Sequence, residues 1–219
     1  MDILSRKIGI CKKCYHGFPK EAEENGLCEI CKTPLSEETC DYCNSRNIFF
    51  SELIFLRLRE KIEKELIQNI KFHNKPYLSL YFRIGLRKKI RNWRKKQYQA
   101  IVYISSNKKT LKKRPIHPCK HIIDYLTKLF GIRAINPFQK VSSQLQSGKS
   151  YRDRFVHAAS AFQIRKKYEN KLKGKYLLVD DVFTTGATIN ELAKILLMNG
   201  SESVDVLVMT KGKQTTSNH

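Results

Sequence analysis

In "LLVDDVFTTGAT", residues 177–188, two adjacent carboxylates, Asp180 and Asp181, stand directly before a run rich in hydroxyls and small residues. Adjacent carboxylates repel each other and any anion beside them, unless the ligand places hydroxyl donors or a cation between them. The following run has the opposite preference. Thr184, Thr185 and Thr188 offer hydroxyl donors, Gly186 lets the backbone approach a ligand closely, and Ala187 begins an apolar pattern with helical period. The first N–H groups of such a helix point outward, with the positive end of its dipole behind them. Carboxylates first and a phosphate cup second, joined through Val182 and Phe183, suit a ribose 5-phosphate accompanied by Mg²⁺. A Walker loop differs, because it needs a Lys after its glycines and has no acidic pair before them. A helix cap explains one such Asp or Thr, not nine residues in this order.

A second chemistry sits near the N-terminus. Six of the seven cysteines form C-x-x-C pairs, "CKKC" at 11–14, "CEIC" at 28–31 and "CDYC" at 40–43. Tetrahedral zinc takes four thiolates, and two such turns present them well. By spacing alone, Cys11 and Cys14 with Cys28 and Cys31, or Cys28 and Cys31 with Cys40 and Cys43, serve equally. An iron–sulfur cluster is a further reading. The surrounding sequence has little apolar periodicity, so a metal is the expected staple for a segment that cannot build its own core. Cys119, alone at a helix start, reads as a small buried residue.

The 219-residue chain carries a net charge of +22. Its first 45 residues hold six Lys/Arg against eight Asp/Glu, so the excess lies in the remainder. Such a field attracts polyanions, although lysines spread over solvated faces would also produce it. In "RIGLRKKIRNWRKKQYQ", Arg87, Lys88, Arg91, Arg94, Lys95 and Lys96 surround Trp93 and Tyr98. Cations along a backbone with aromatics for base stacking suit single-stranded nucleic acid; the alternative for Trp93 is a core anchor. "MDILSRKIGICKKC" has no apolar secretory core, and no segment reaches the roughly 18 apolar residues of a membrane helix. A cytoplasmic protein without membrane insertion is expected.

These groups need positioning elements. Phe55, Leu58, Ile62, Leu66 and Ile70 predict an amphipathic helix beginning near Ser51, and residues 77–98 predict a second. "AIVYIS" at 100–105 predicts a buried strand, followed by a basic loop and a helix closed by Gly131. Residues 136–153 are polar and predict a mobile surface loop. "KYLLVDD", "ATINELAKILLMNG" and "SVDVLVMT" predict a βαβ unit within a parallel sheet covered on both faces. The expected organisation is a metal module over residues 1–48 and, over 49–219, an α/β domain with an N-terminal helical connector.

Residues 180–188 have the form of the motif by which type I phosphoribosyltransferases bind phosphoribosyl pyrophosphate (PRPP), and the flanks extend the likeness. With the cysteine pairs, "IKF" at 70–72, "IVYISSNKK" at 101–109, "KRPIHP" at 113–118, Gln144, Arg154, Ala161 and Phe162, the chain resembles the ComF family of competence proteins over nearly its whole length. The resemblance implies a parallel α/β sheet of phosphoribosyltransferase type behind an N-terminal zinc ribbon. It implies PRPP bound with Mg²⁺ by Asp180, Asp181 and residues 182–188, with the acidic pair on the ribose hydroxyls, and a structural zinc. ComF ribbons often carry four cysteine pairs; with the first lacking here, the likeness favours Cys28, Cys31, Cys40 and Cys43, with Cys11 and Cys14 as runner-up ligands. Family loops carrying Pro-Val-Pro and Arg-Gly-Phe-Asn are replaced here by Ile104, Ser105, Ser106 and by Arg114, Pro115, Ile116, His117, while an Asn becomes His157. Ser105, Ser106, Lys108 and Arg114, with Lys109, are the candidate pyrophosphate loop. The implied role is competence, with single-stranded DNA and competence proteins such as a DNA translocase as partners. The rival readings are an enzyme of nucleobase salvage and a non-catalytic, zinc-containing single-stranded DNA-binding protein.

Overall fold

Runs of consecutive buried apolar residues build the centre of the molecule. In a computed structural model the described residues are 26–73, 75–83, 86–91, 93, 96–104, 117–141 and 161–212. Strands β1 (Glu52–Leu58), β2 (Tyr98–Val102), β3 (Ala134–Ile135), β6 (Lys175–Phe183) and β7 (Ser203–Lys211) form one sheet in the order β1-β7-β6-β2-β3. Every pairing in it is parallel. A separate antiparallel pair joins β4 (Phe138–Lys140) to β5 (Phe162–Ile164).

Both faces of the sheet are covered, as a parallel sheet requires. Along β6, Tyr176, Leu178 and Phe183 face one layer and Leu177 and Val179 the other. The first layer holds helix α5 (Ala187–Met198), through Ile189, Leu192, Ala193 and Leu196, together with the cysteine module. The second holds helix α2 (Lys61–Phe72), a 3₁₀ helix over Pro76–Arg83, the short helix α3 (Leu86–Lys89) and helix α4 (Lys120–Phe130). Each large side chain buried this way contributes about 1.5–3 kcal/mol. The expected α/β sheet flanked by helices is therefore present, with β6, α5 and β7 as its βαβ unit.

Local signals set several boundaries. Gly131 ends α4 in the left-handed region at φ 68°, and Gly200, at φ 101°, follows the Asn199 that closes α5. Helix α2 starts with a reciprocal capping box between Glu60 and Glu63. The Glu63 carboxylate is buried and also accepts the Tyr81 hydroxyl at 3.0 Å.

Three expectations are corrected. The helix expected from Ser51 starts only at Lys61, because residues 52–58 are strand β1. Leu53, Ile54, Phe55 and Leu56 are all buried, on alternating faces, and β1 pairs with β7 from Glu52↔Asp205 to Leu58↔Lys211. The spacing of Phe55, Leu58 and Ile62 merely mimics a helical stripe across that boundary. Among the described residues of the long helix expected at 77–98 there are a 3₁₀ helix and the four residues of α3, and β2 begins at Tyr98. In the sequence, Gly85 separates the two segments, at a cost to any continuous helix. Residues 138–140 of the expected surface loop form β4, whose Phe138 is buried; residues 142–153 lie outside the described residues. No helix among the described residues is long and apolar enough to cross a membrane.

Candidate functional site

Strand β6 delivers Asp180 and Asp181 to the carboxyl edge of the sheet, and residues 184–186 turn there into α5. A cavity of about 330 Å³ opens at this edge, lined by the acidic pair, Val182, residues 184–189, Arg59 and Lys71. Its size falls at the small end of the range for small-molecule sites. Asp181 pairs with Lys71 from the end of α2, whose Nζ lies 2.8 Å from Oδ1 and 2.7 Å from Oδ2. Asp180 accepts the Asp181 backbone N–H through Oδ1 at 2.8 Å. Burial and the adjacent Asp181 charge push Asp180 up to about 7, against the opposing pull of Lys71.

The loop is held from beneath. Gly186 caps α5 at φ 70°, and its carbonyl accepts the Asn190 N–H at 2.8 Å. Phe183, which the motif places among the ligand-binding residues, is fully buried and does not line the cavity. Its ring packs against Tyr42 and Phe50, at centroid distances of 5.8 and 6.2 Å. Its role is support: Val182 lines the cavity, whereas Phe183 packs into the core layer that holds the cysteine module.

Cys28, Cys31, Cys40 and Cys43 come together with all four sulfurs within 4.8 Å of one another. Four sulfurs each about 2.3 Å from a tetrahedral zinc lie about 3.8 Å apart. Here Cys28 and Cys43 are 3.8 Å apart, and Cys31 and Cys40 3.4 Å. Cys28 and Cys31 flank a tight turn closed by Lys32 N–H to Cys28 O, and Cys40 opens helix α1 (Asp41–Asn44). Burial and the neighbouring thiols push Cys40 up to about 11 and Cys43 higher still. A bound dication reverses that preference by stabilising thiolates. The buried Lys211 ammonium adds to the fit: burial lowers its pKa, while the Cys31, Cys40 and Cys28 sulfurs pull it back up. A four-thiolate zinc centre carries a net charge of −2, which a buried cation offsets. The donor set therefore fits structural zinc; the alternative ligands Cys11 and Cys14 lie outside the described residues.

The module is packed onto the sheet. Leu53 of β1 donates its N–H to the Ile30 carbonyl at 2.8 Å, and the Tyr42 hydroxyl donates to the Thr185 carbonyl at 3.1 Å. The Asn190 amide of α5 accepts from Phe49 N–H and donates to Asn47 O, each at 2.8 Å.

The basic segment is arranged differently from expectation. Trp93 is 2% exposed, and its indole N–H donates to Glu52 Oε2 at 2.8 Å. The Tyr98 hydroxyl donates to buried Asp205 at 2.6 Å, and Lys96 bridges Glu52 and Asp205 at 2.7 and 2.9 Å. These three side chains thus join an internal network at the amino edge of the sheet rather than an outward stacking surface. Arg91 is exposed; the side chains of Arg87 and Lys88, and Arg94 and Lys95 entirely, lie outside the described residues. So do Ser105, Ser106, Lys108, Lys109 and Arg114 of the expected pyrophosphate loop, and Gln144, Arg154 and His157.

Sequence reasoning missed Arg59, Lys71, Tyr42 and Asn190 as neighbours of the loop. "IKF" at 70–72 gives Lys71 no role by itself, and Arg59 stands within the helix expected from Ser51. Arg59 follows β1, its N–H bonded to the Lys211 carbonyl at 2.8 Å, and its buried Nε has no hydrogen-bond partner among the described residues.

No protein-family model matches the chain. Two curated proteins are similar to it over most of its length. Competence protein F of Haemophilus influenzae is 24% identical over 208 residues, 91% of this chain and 89% of that protein. Competence protein ComFC of Streptococcus pneumoniae is 24% identical over 211 residues, 92% and 87% of the two chains. Both carry the competence-protein name that the sequence motifs led to. Among solved structures, a hypothetical protein from Neisseria gonorrhoeae with bound ppGpp aligns over 74% of this chain and 78% of that one, at a TM-score of 0.33 and 16% identity, too loose to carry an argument.

Proposed function

We propose that this chain is a competence protein that binds PRPP, or a related phosphoribosyl ligand, with Mg²⁺ at residues 180–188, and that it handles single-stranded DNA during transformation. The observation that carries the ligand reading is the order of groups around one cavity: paired carboxylates at the end of the central strand, then a hydroxyl-rich loop at a helix N-terminus. The competence role is supported by the two similar competence proteins.

In this reading the N-terminal amides of α5 and the hydroxyls of Thr184, Thr185 and Thr188 hold the 5-phosphate. Asp180 and Asp181 accept the ribose hydroxyls, with Lys71 supplying the countercharge that lets two carboxylates stand side by side. Mg²⁺, when bound with the ligand, screens pyrophosphate charge. Phosphoribosyl transfer would proceed through an oxocarbenium-like state at C1, stabilised by fixed charges. Calorimetry with PRPP and Mg²⁺ tests the site: the native chain should bind, and an Asp180→Asn, Asp181→Asn variant should bind at least tenfold more weakly. Equal binding by both sinks the reading. Pyrophosphate release in the presence of each common nucleobase tests for turnover.

For DNA, exposed positive charge is dense over residues 165–175, where six Lys/Arg stand against the single Glu169. This run leads into the amino end of β6, away from the ligand edge. Single-strand affinity should fall steeply with salt, and more shallowly once Lys166, Lys167, Lys171 and Lys173 are replaced by Gln. A flat salt response of the native chain refutes DNA binding of this kind.

A further inference from the structure

We infer that Tyr42 is a positioning residue through which the four-cysteine centre holds the phosphate loop in its ligand-binding shape; the inference rests on the phosphoribosyl reading of residues 180–188. Tyr42 lies between Cys40 and Cys43, on the backbone turn that presents two of the four sulfurs. That turn is helix α1, only four residues long and without a side-chain cap, too short to persist unaided. A metal on Cys40 and Cys43 would fix it, and with it the position of the Tyr42 ring.

The ring is clamped. The Arg46 guanidinium lies 4.1 Å from its centroid, Phe183 packs at 5.8 Å and 56°, and only 5% of the residue is exposed. Its hydroxyl reaches across 143 residues of sequence to donate to the Thr185 carbonyl. In a planar trans peptide, the carbonyl of one residue and the N–H of the next point in opposite directions. With the Thr185 carbonyl turned to Tyr42, the Gly186 N–H is turned away from it. Gly186 lines the cavity and Tyr42 does not, so this bond orients a loop donor toward the ligand side. Tyr42 and Phe183 also occupy the space a Cβ at residue 186 would need, which keeps a glycine there at φ 70°. Asn190 ties residues 47 and 49 to α5 without touching a cysteine, so the module has a second anchor. The Tyr42 bond reaches the loop itself, at the Thr185 carbonyl.

The test uses the full-length, zinc-loaded chain and its Tyr42→Phe variant, which keeps the ring and removes the hydroxyl. Metal content, PRPP·Mg²⁺ affinity by calorimetry, and amide exchange across residues 184–188 by mass spectrometry are measured on both. The variant should keep its zinc, bind PRPP about three- to tenfold more weakly, the range expected for one hydrogen bond, and exchange faster in the loop. Stripping the zinc from the native chain should weaken PRPP binding and speed loop exchange, with a smaller further effect in Tyr42→Phe. Native affinity and native exchange in zinc-loaded Tyr42→Phe would overturn the inference, as would an equal effect of zinc removal in both proteins. Failure of the native zinc-loaded chain to bind PRPP would overturn the ligand reading itself, a result distinct from either. If the stripped chain unfolds, the comparison of the two zinc-loaded proteins decides alone.

Discussion

Replacing Gly186 by Ala should cost far more than the same change at Gly131, although both glycines have nearly the same backbone: φ is 70° at one and 68° at the other. The left-handed conformation penalises any Cβ by about 1–2 kcal/mol, and this part is common to both sites. At Gly131 an added Cβ meets nothing within 4 Å. At Gly186 it would overlap the Tyr42 hydroxyl and stand 2.5 and 2.8 Å from Cζ and Cε2 of Phe183. Both rings are buried and packed against each other, with Phe50 against Phe183 and Arg46 against Tyr42. Overpacking of this kind costs about 1–3 kcal/mol, and loss of the Tyr42 hydrogen bond adds about 1 kcal/mol. The expected totals are about 1–2 kcal/mol for Gly131→Ala and about 3–6 kcal/mol for Gly186→Ala. At about 2–4 °C per kcal/mol for a chain of this size, the midpoint should fall by about 2–8 °C and about 6–24 °C respectively. Thermal unfolding of both variants, followed by circular dichroism at fixed zinc, measures the difference directly. Equal drops would refute the argument that the cysteine module packs against the loop, because the shared backbone term would then account for everything.

Other outcomes follow from the site and from the network around Trp93. Asp180 titrates near 7 in the folded chain against an ordinary value near 4, so below pH 7 it is largely neutral. PRPP·Mg²⁺ affinity should therefore strengthen as pH rises through 7, by more than in Asp180→Asn, where only the ligand's own phosphate titrates. The same shift means that the folded state holds this proton more tightly than the unfolded state. Its contribution to stability is present below about pH 4 and is lost as pH rises through 7, which urea unfolding against Asp180→Asn will read. Lys71→Met should destabilise the chain by about 1–3 kcal/mol by leaving Asp181 without its cation, and Mg²⁺ should raise the variant's midpoint more than the native one. Trp93→Phe should cost about 1–3 kcal/mol through the indole bond to Glu52 and leave single-strand affinity unchanged; a parallel loss of DNA binding would show that Trp93 does reach the nucleic acid.

The two clusters of functional groups were readable in the sequence because each is local. Residues 180–188 are contiguous, and two C-x-x-C turns carry four sulfurs within sixteen residues, from Cys28 to Cys43. The βαβ unit was readable for the same reason, through doubly buried strands and a glycine-closed helix. What failed depended on distant pairing. Strand β1 is defined by its hydrogen bonds to β7, so its apolar run was open to a helical reading until that partner was known. Trp93 and Lys96 looked like an outward basic face because Glu52 and Asp205, their partners, come from two other strands. Lys71 lies 110 residues from Asp181 and Tyr42 lies 143 from Thr185, and no periodicity reports such contacts.

The neighbourhood of β1 and β7 also sets the order in which a growing chain can be completed. The first strand waits for the last, made roughly 150 residues later, and a sheet closed by such distant pairing is slow to form. Until then, Leu53, Ile54, Phe55 and Leu56 have no sheet to enter, which makes the emerging chain prone to association and chaperone capture. The cysteine module faces the same delay in a different form: all four sulfurs exist once residue 43 has been made, whereas Thr185, against which it docks, lies 143 residues after Tyr42. All four metal-ligating candidates are therefore available early, before the turn at residues 184–186 exists to pack against them.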